Sequence, residues 1–192
     1  MMARAIFWSR LIAVVGLVLT GSASGQSPSE ATKGDYCHDA LPVWVSRTLS
    51  EQFGGWLVQS PDRLTSSARD RWQAEKPLGC PGIADGRFTS ANRTFAVLIV
   101  GSGESKGQAK LLSFIRSGAG YHADVLEQIS SGASNYFIHM AKASQFFDAA
   151  SARKFRVTAA DAIVLFDAGT GEYGVEVYFW TGASFRHEPV DY

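Results

Sequence analysis

The chain has two cysteines, four histidines and no surplus of charge, with 18 Lys and Arg against 18 Asp and Glu. Each shortage excludes a class of function. Balanced charge removes the electrostatic basis for binding nucleic acid or an anionic membrane surface. His38, His122, His139 and His187 show no HExxH or other ligand spacing, and Cys37 beside His38 has no second pair at zinc spacing. No metal and no cofactor is therefore expected. No period repeats along the chain, which excludes a solenoid or a complete propeller. No apolar run after the N-terminus approaches the length of a membrane span.

The N-terminus itself carries Arg4 and Arg10, then an apolar run over 11–19 and the small residues of 21–25. That order reads as a secretory signal peptide over 1–25, with an uncleaved N-terminal anchor as the alternative. Residues 26–35 lack apolar periodicity and read as a flexible leader. The remainder, 36–192, fits one domain. Loss of Arg4 and Arg10 leaves the exported chain with about two more acidic than basic residues. Export to the periplasm or outside the cell makes a Cys37–Cys80 disulfide the expected state of the only two thiols.

The pattern changes along the domain. Leu41, Val45, Leu49 and Phe53 recur every fourth residue from a cap at Asp39 to the stop at Gly54 and Gly55, predicting a helix. Ser60 and Pro61 open a second predicted helix that places Leu64, Ala68 and Trp72 on one side before Pro77. Short apolar or alternating runs follow over 95–100, 111–115, 121–126, 136–140, 155–157, 163–166, 175–180 and 183–186, with a short helix conceivable over 146–150. A turn at 117–120 and a two-residue hairpin at Thr181 and Gly182 impose antiparallel pairing. The fold class is α+β: two N-terminal helices packed on one face of a mostly antiparallel sheet of about six to eight short strands.

Before the first of those runs lies GRFTSANRTFAVLIV, residues 86–100. A calcium loop needs carboxylates at alternate positions, and between Gly86 and Ala96 there is no Asp or Glu. Gly86, Phe88, the Phe95 and Ala96 pair and the strand after them resemble the FG-GAP/VCBS type of repeat. Arg87, Ala91 and Thr94 stand where that repeat carries ligand carboxylates, so the resemblance does not bring calcium with it. Together with 56–58, Asp62, Leu64, Trp72, 80–82 and 178–185, the chain is similar to small exported bacterial proteins carrying one degenerate FG-GAP-like unit. The resemblance implies fold and location rather than activity.

Two further patterns bear on function. Gly103-Glu104-Ser105-Lys106-Gly107 matches the G-x-S-x-G nucleophile elbow, with Asp161 or Asp167 and His187 following in hydrolase order. The segments before it are helices and the serine sits in a Gly-rich stretch, which favours a plain hairpin loop. Asn92 to Thr94 matches a glycosylation acceptor, and Glu172 with Glu176 could pair as carboxylates but read as a solvated face. Tyr178, Trp180 and Phe185 share one side of the last hairpin, with Val175, Val177 and Phe179 on the other. Those three aromatics either complete the core or form an exposed patch for a protein or glycan partner. The leading expectation is an exported, non-catalytic binding protein. A small serine hydrolase using Ser105, or an inhibitor of an envelope-acting hydrolase, are the alternatives.

Overall fold

The computed structural model describes residues 35–75, 79–89, 93–117, 120–169 and 173–190. Its strands form two antiparallel sheets rather than one. In the first, β3 (Thr94–Gly101) pairs with β4 (Ala109–Ser117) and β4 with β5 (Gly120–Ile129). The short strands β1 (Trp56–Val58) and β2 (Ile83–Gly86) both pair with the other side of β3. The second sheet is a meander of β6 (Tyr136–Lys142), β7 (Asp161–Asp167), β8 (Gly174–Trp180) and β9 (Phe185–Pro189).

The reason for two sheets lies in strands that are apolar on both faces. In β3, Ala96, Leu98 and Val100 point one way and Val97 and Ile99 the other, and all five are buried. One sheet with helices on one face would leave half of these side chains in water, at about 1.5–3 kcal/mol for each large one. Stacking the sheets solves this. Leu98, Leu111, Ile138, Ile163, Leu165 and Tyr178 form a core between them. The outer face of the first sheet is covered by α1 (Tyr36–Asp39) and α2 (Val43–Gln52), through Leu41, Val45 and Leu49 against Ile99, Leu112 and Phe114. The outer face of the second is covered by α3 (Ser66–Glu75) and α4 (Ala149–Phe155), through Trp72 and Phe155 against Phe166 and Phe179. The described layers are therefore helix, sheet, sheet, helix.

This corrects the expected arrangement in several places. The fold is α+β and largely β, but α2 and α3 lie on different sheets, not together on one face. Asp39 does not cap the long helix. It ends the single turn α1, which Asp35 caps by accepting from the His38 N–H at 3.4 Å, and Pro42 precedes α2. Ser60 and Pro61 begin a 3-10 turn over Pro61–Arg63, and Thr65 restarts the chain as the cap of α3, its hydroxyl accepting from the Ala68 N–H. Residues 155–157 are not a strand. Asp148 caps α4 by accepting from the Ser151 N–H at 2.6 Å, which carries the helix through Phe155 to a left-handed Arg156.

The last hairpin differs too. Trp180 pairs with Phe185 and Tyr178 with His187, so the loop is four residues, 181–184, closed by the Thr181 N–H donating to the Ser184 carbonyl. The edge-to-face contact of Trp180 and Phe185, centroids 5.3 Å apart, holds this register. β4 and β5 meet as expected, with Ser117 opposite Gly120.

Cys37 and Cys80 are disulfide-bonded and buried, tying α1 to the entry of β2. Such a bond belongs to oxidising surroundings. Beside it, buried Gln59 donates from its amide to the Ala133 and Tyr136 carbonyls, both at 2.9 Å, linking the end of β1 to the crossover between the sheets. Gly82 has to be glycine there, because a Cβ would lie 2.6 Å from the Gln59 carbonyl oxygen. No described helix is long and apolar enough to cross a membrane.

Candidate functional site

The sandwich is joined on the side of β2 and β6, where the Ile138 N–H donates to the Pro81 carbonyl at 2.8 Å. On the other side β5 and β9, each paired on one edge only among the described residues, flank a cleft of about 340 Å³. Asp124, Val125 and Leu126 line it from β5, and Tyr178, Trp180, Phe185 and His187 from the β8–β9 hairpin.

Alternation decides what points inward. Along β8 the residues facing the first sheet include Glu176, Tyr178 and Trp180, and pairing brings His187 opposite Tyr178 and Phe185 opposite Trp180. On β5 a bulge between the Leu111 and Leu112 partners inserts one extra residue, and Glu127 reaches the same place from the facing sheet. The Tyr178 hydroxyl lies 3.1 Å from Glu176 Oε2 and 3.2 Å from Glu127 Oε2. His187 Nδ1 lies 3.0 Å from Glu176 Oε2 and 3.9 Å from Glu127 Oε2. Burial, then the charges of Glu176 and Glu127, hold the Tyr178 phenol far above its ordinary pKa, so it serves as a donor and stays protonated. On β6 the Tyr136 phenol is pushed up to about 12 by burial and by its bond to Asp167, with Glu176 and Glu127 adding to the effect.

The three aromatics of the expected patch are thus divided. Tyr178 is only 2% exposed and belongs to the intersheet core, whereas Trp180 and Phe185 are half-buried at the cleft wall. Glu176, expected on a solvated face, keeps a side chain 43% exposed while bonding to Tyr178 and His187, and Glu172 lies outside the described residues. Glu127 carries no sequence signal, because its role depends on a bulge and on a strand of the other sheet.

The elbow residues do not come together. Ser105 sits in the 3-10 turn Gly103–Ser105 between β3 and β4, where a Cβ at Gly101 would meet its carbonyl oxygen at 2.2 Å. That turn is a tight reversal at the strand end. His187 is engaged with Glu176 on the second sheet, and no hydrogen bond or ion pair among the described residues joins it to Ser105. Asp161 and Asp167 stand at opposite ends of β7. Asp167 accepts from the Gly169 N–H at 2.8 Å.

Asp161 is instead a structural anchor for the GRFTSANRTF loop. It is 3% exposed, accepts from the Arg87 N–H at 2.7 Å and pairs with Lys142. Burial pushes its pKa up, but the bonds from Lys142 and the Arg87 N–H outweigh it and hold the carboxyl below its usual range. The described residues of the loop supply one another further: the Thr94 hydroxyl donates to the Gly86 carbonyl and accepts from the Phe88 N–H, and Arg93 pairs with Asp85. Ser90, Ala91 and Asn92 lie outside the described residues. A carboxyl with a depressed folded pKa stabilises above its unfolded value and loses that contribution as pH falls through the folded one. Asp161→Asn is therefore expected to cost about 1–2 kcal/mol at pH 7, with Lys142 half exposed and screened. Denaturant midpoints measured from pH 7 to pH 2.5 should converge for the two proteins on the acid side.

No family model matches the chain, and no curated protein or solved structure matches it significantly.

Proposed function

We propose that this is an exported, non-catalytic binding protein, working in the periplasm or outside the cell, whose partner is a polypeptide seated in the cleft between β5 and β9. The observation that carries the reading is the gathering of Trp180, Phe185 and His187 beside two strands that each have one edge unpaired among the described residues. Half-buried aromatic rings offer contact area at low entropic cost, and a free strand edge offers main-chain donors and acceptors to an extended chain. The disulfide and the signal-like N-terminus support export. The resemblance to small exported proteins with one FG-GAP-like unit supports the same location.

The separation of Ser105 from His187 favours this over the serine hydrolase. The test is capture from envelope extract by the wild type and by Trp180→Ala/Phe185→Ala, with folding of both checked by circular dichroism. The reading expects a polypeptide retained by the wild type and lost by the folded variant. Unchanged retention by the variant, or retention of glycan alone, would overturn it.

A further inference from the structure

We propose that Glu127, Glu176 and His187 form a binding site for one divalent transition cation, with Zn²⁺ the ion that fits it. The three side chains come from β5, β8 and β9, two sheets and three strands, and their ligand atoms all lie within 4.8 Å of one another. On a tetrahedral zinc with bonds of about 2.0–2.1 Å, neighbouring ligand atoms stand about 3.3–3.4 Å apart. The His187 Nδ1 separations of 3.0 Å and 3.9 Å from the two Oε2 atoms bracket that value. Small side-chain rotations bring all three onto one ion without moving a strand.

The donor set selects the metal. One imidazole with two carboxylates suits zinc and its neighbours, whereas Ca²⁺ and Mg²⁺ take six or more oxygens and gain little from a ring nitrogen. Charge points the same way. The two carboxylates share a single hydroxyl donor in Tyr178, which can bond only one of them at a time, and no Lys or Arg among the described residues pairs with either. A cation answers both at once.

The surroundings are those of a supported site. Tyr178 is almost fully buried and its hydroxyl, within reach of both carboxylates, donates to one of them, as outer hydrogen bonds do for metal ligands. The cleft adjoins the site through Tyr178 and His187, which both line it. Sequence spacing hides the site because no two ligands share a strand. The inference does not depend on what occupies the aromatic end of the cleft.

The test is a titration of the EDTA-treated full chain with Zn²⁺ against a chromophoric chelator. One equivalent should bind, and His187→Ala and Glu176→Gln should each weaken it at least ten-fold while His122→Ala leaves it unchanged. Millimolar Ca²⁺ should not displace it. Nitrogen-correlated NMR of the wild type should show the His187 ring perturbed by Zn²⁺ ahead of His38, His122 and His139, a readout that does not require any variant to fold. Absence of binding, equal affinity in folded His187→Ala, or perturbation of another histidine in place of His187 would overturn the proposal.

Discussion

Replacing Cys37 and Cys80 together by alanine is expected to destabilise the protein by about 4 kcal/mol. The bond closes a loop with a sequence separation of 43, and the chain-entropy relation gives about that value for such a loop. Both residues are buried among Leu41, Val45, Val58 and Ile99, so alanine keeps the site apolar and isolates the cross-link as the main loss. For a domain of this size the melting temperature should fall by about 10 °C. Thermal unfolding of the oxidised wild type beside the double variant measures it. The single variants should fare no better, since each leaves an unpaired thiol.

Phe166→Ala should cost a comparable amount, about 3–5 kcal/mol. Phe166 is fully buried in the outer core of the second sheet, stacked on Phe137 with centroids 4.7 Å apart and met edge-on by His139 at 4.9 Å. Strand β7 is paired on both sides, so the backbone cannot shift to close the cavity. Urea denaturation should show a lower midpoint with an unchanged slope, because the surface exposed on unfolding is nearly the same. Placing the loss on this face, under α3 and α4, also tests the layer order, since a one-sided sheet would leave Phe166 or its neighbour Leu165 exposed and cheap to truncate.

The layer order was only half legible in the sequence. Periodicity located the apolar face of α2 and seven of the nine strands described, because runs such as 95–100 and 175–180 are long enough to show a pattern. It missed β1 and β2, which are three and four residues long and take their conformation from β3 rather than from their own side chains. The doubly apolar β3 and β8 signalled two covered faces, yet nothing local says whether a helix or a second sheet provides the cover. Helix placement failed for the same reason: α3 shows which side is buried but not against which sheet.

Site residues divide along the same line. The disulfide followed from counting two thiols behind a signal-like N-terminus. The G-x-S-x-G match put Ser105 in a pattern that folding turns into a tight reversal, and it put Asp161 in a catalytic role when the residue anchors the Arg87 loop. Tyr178, Trp180 and Phe185 were assigned to one face from a two-residue turn that is in fact four residues long. The parity survives because both loops have even length. Glu127 was out of reach, since a bulge on β5 and the packing of two sheets bring it to Glu176 and His187.

The central claim is that the cleft between β5 and β9 is where this protein meets its partner. The most direct measurement places a photo-crosslinking phenylalanine analogue at position 185, inside the cleft, and separately at position 43, on the exposed helical layer over the other sheet. Irradiated in envelope extract, the first is expected to yield a discrete polypeptide adduct that the second does not. Adducts at position 43 with none at position 185 would contradict it.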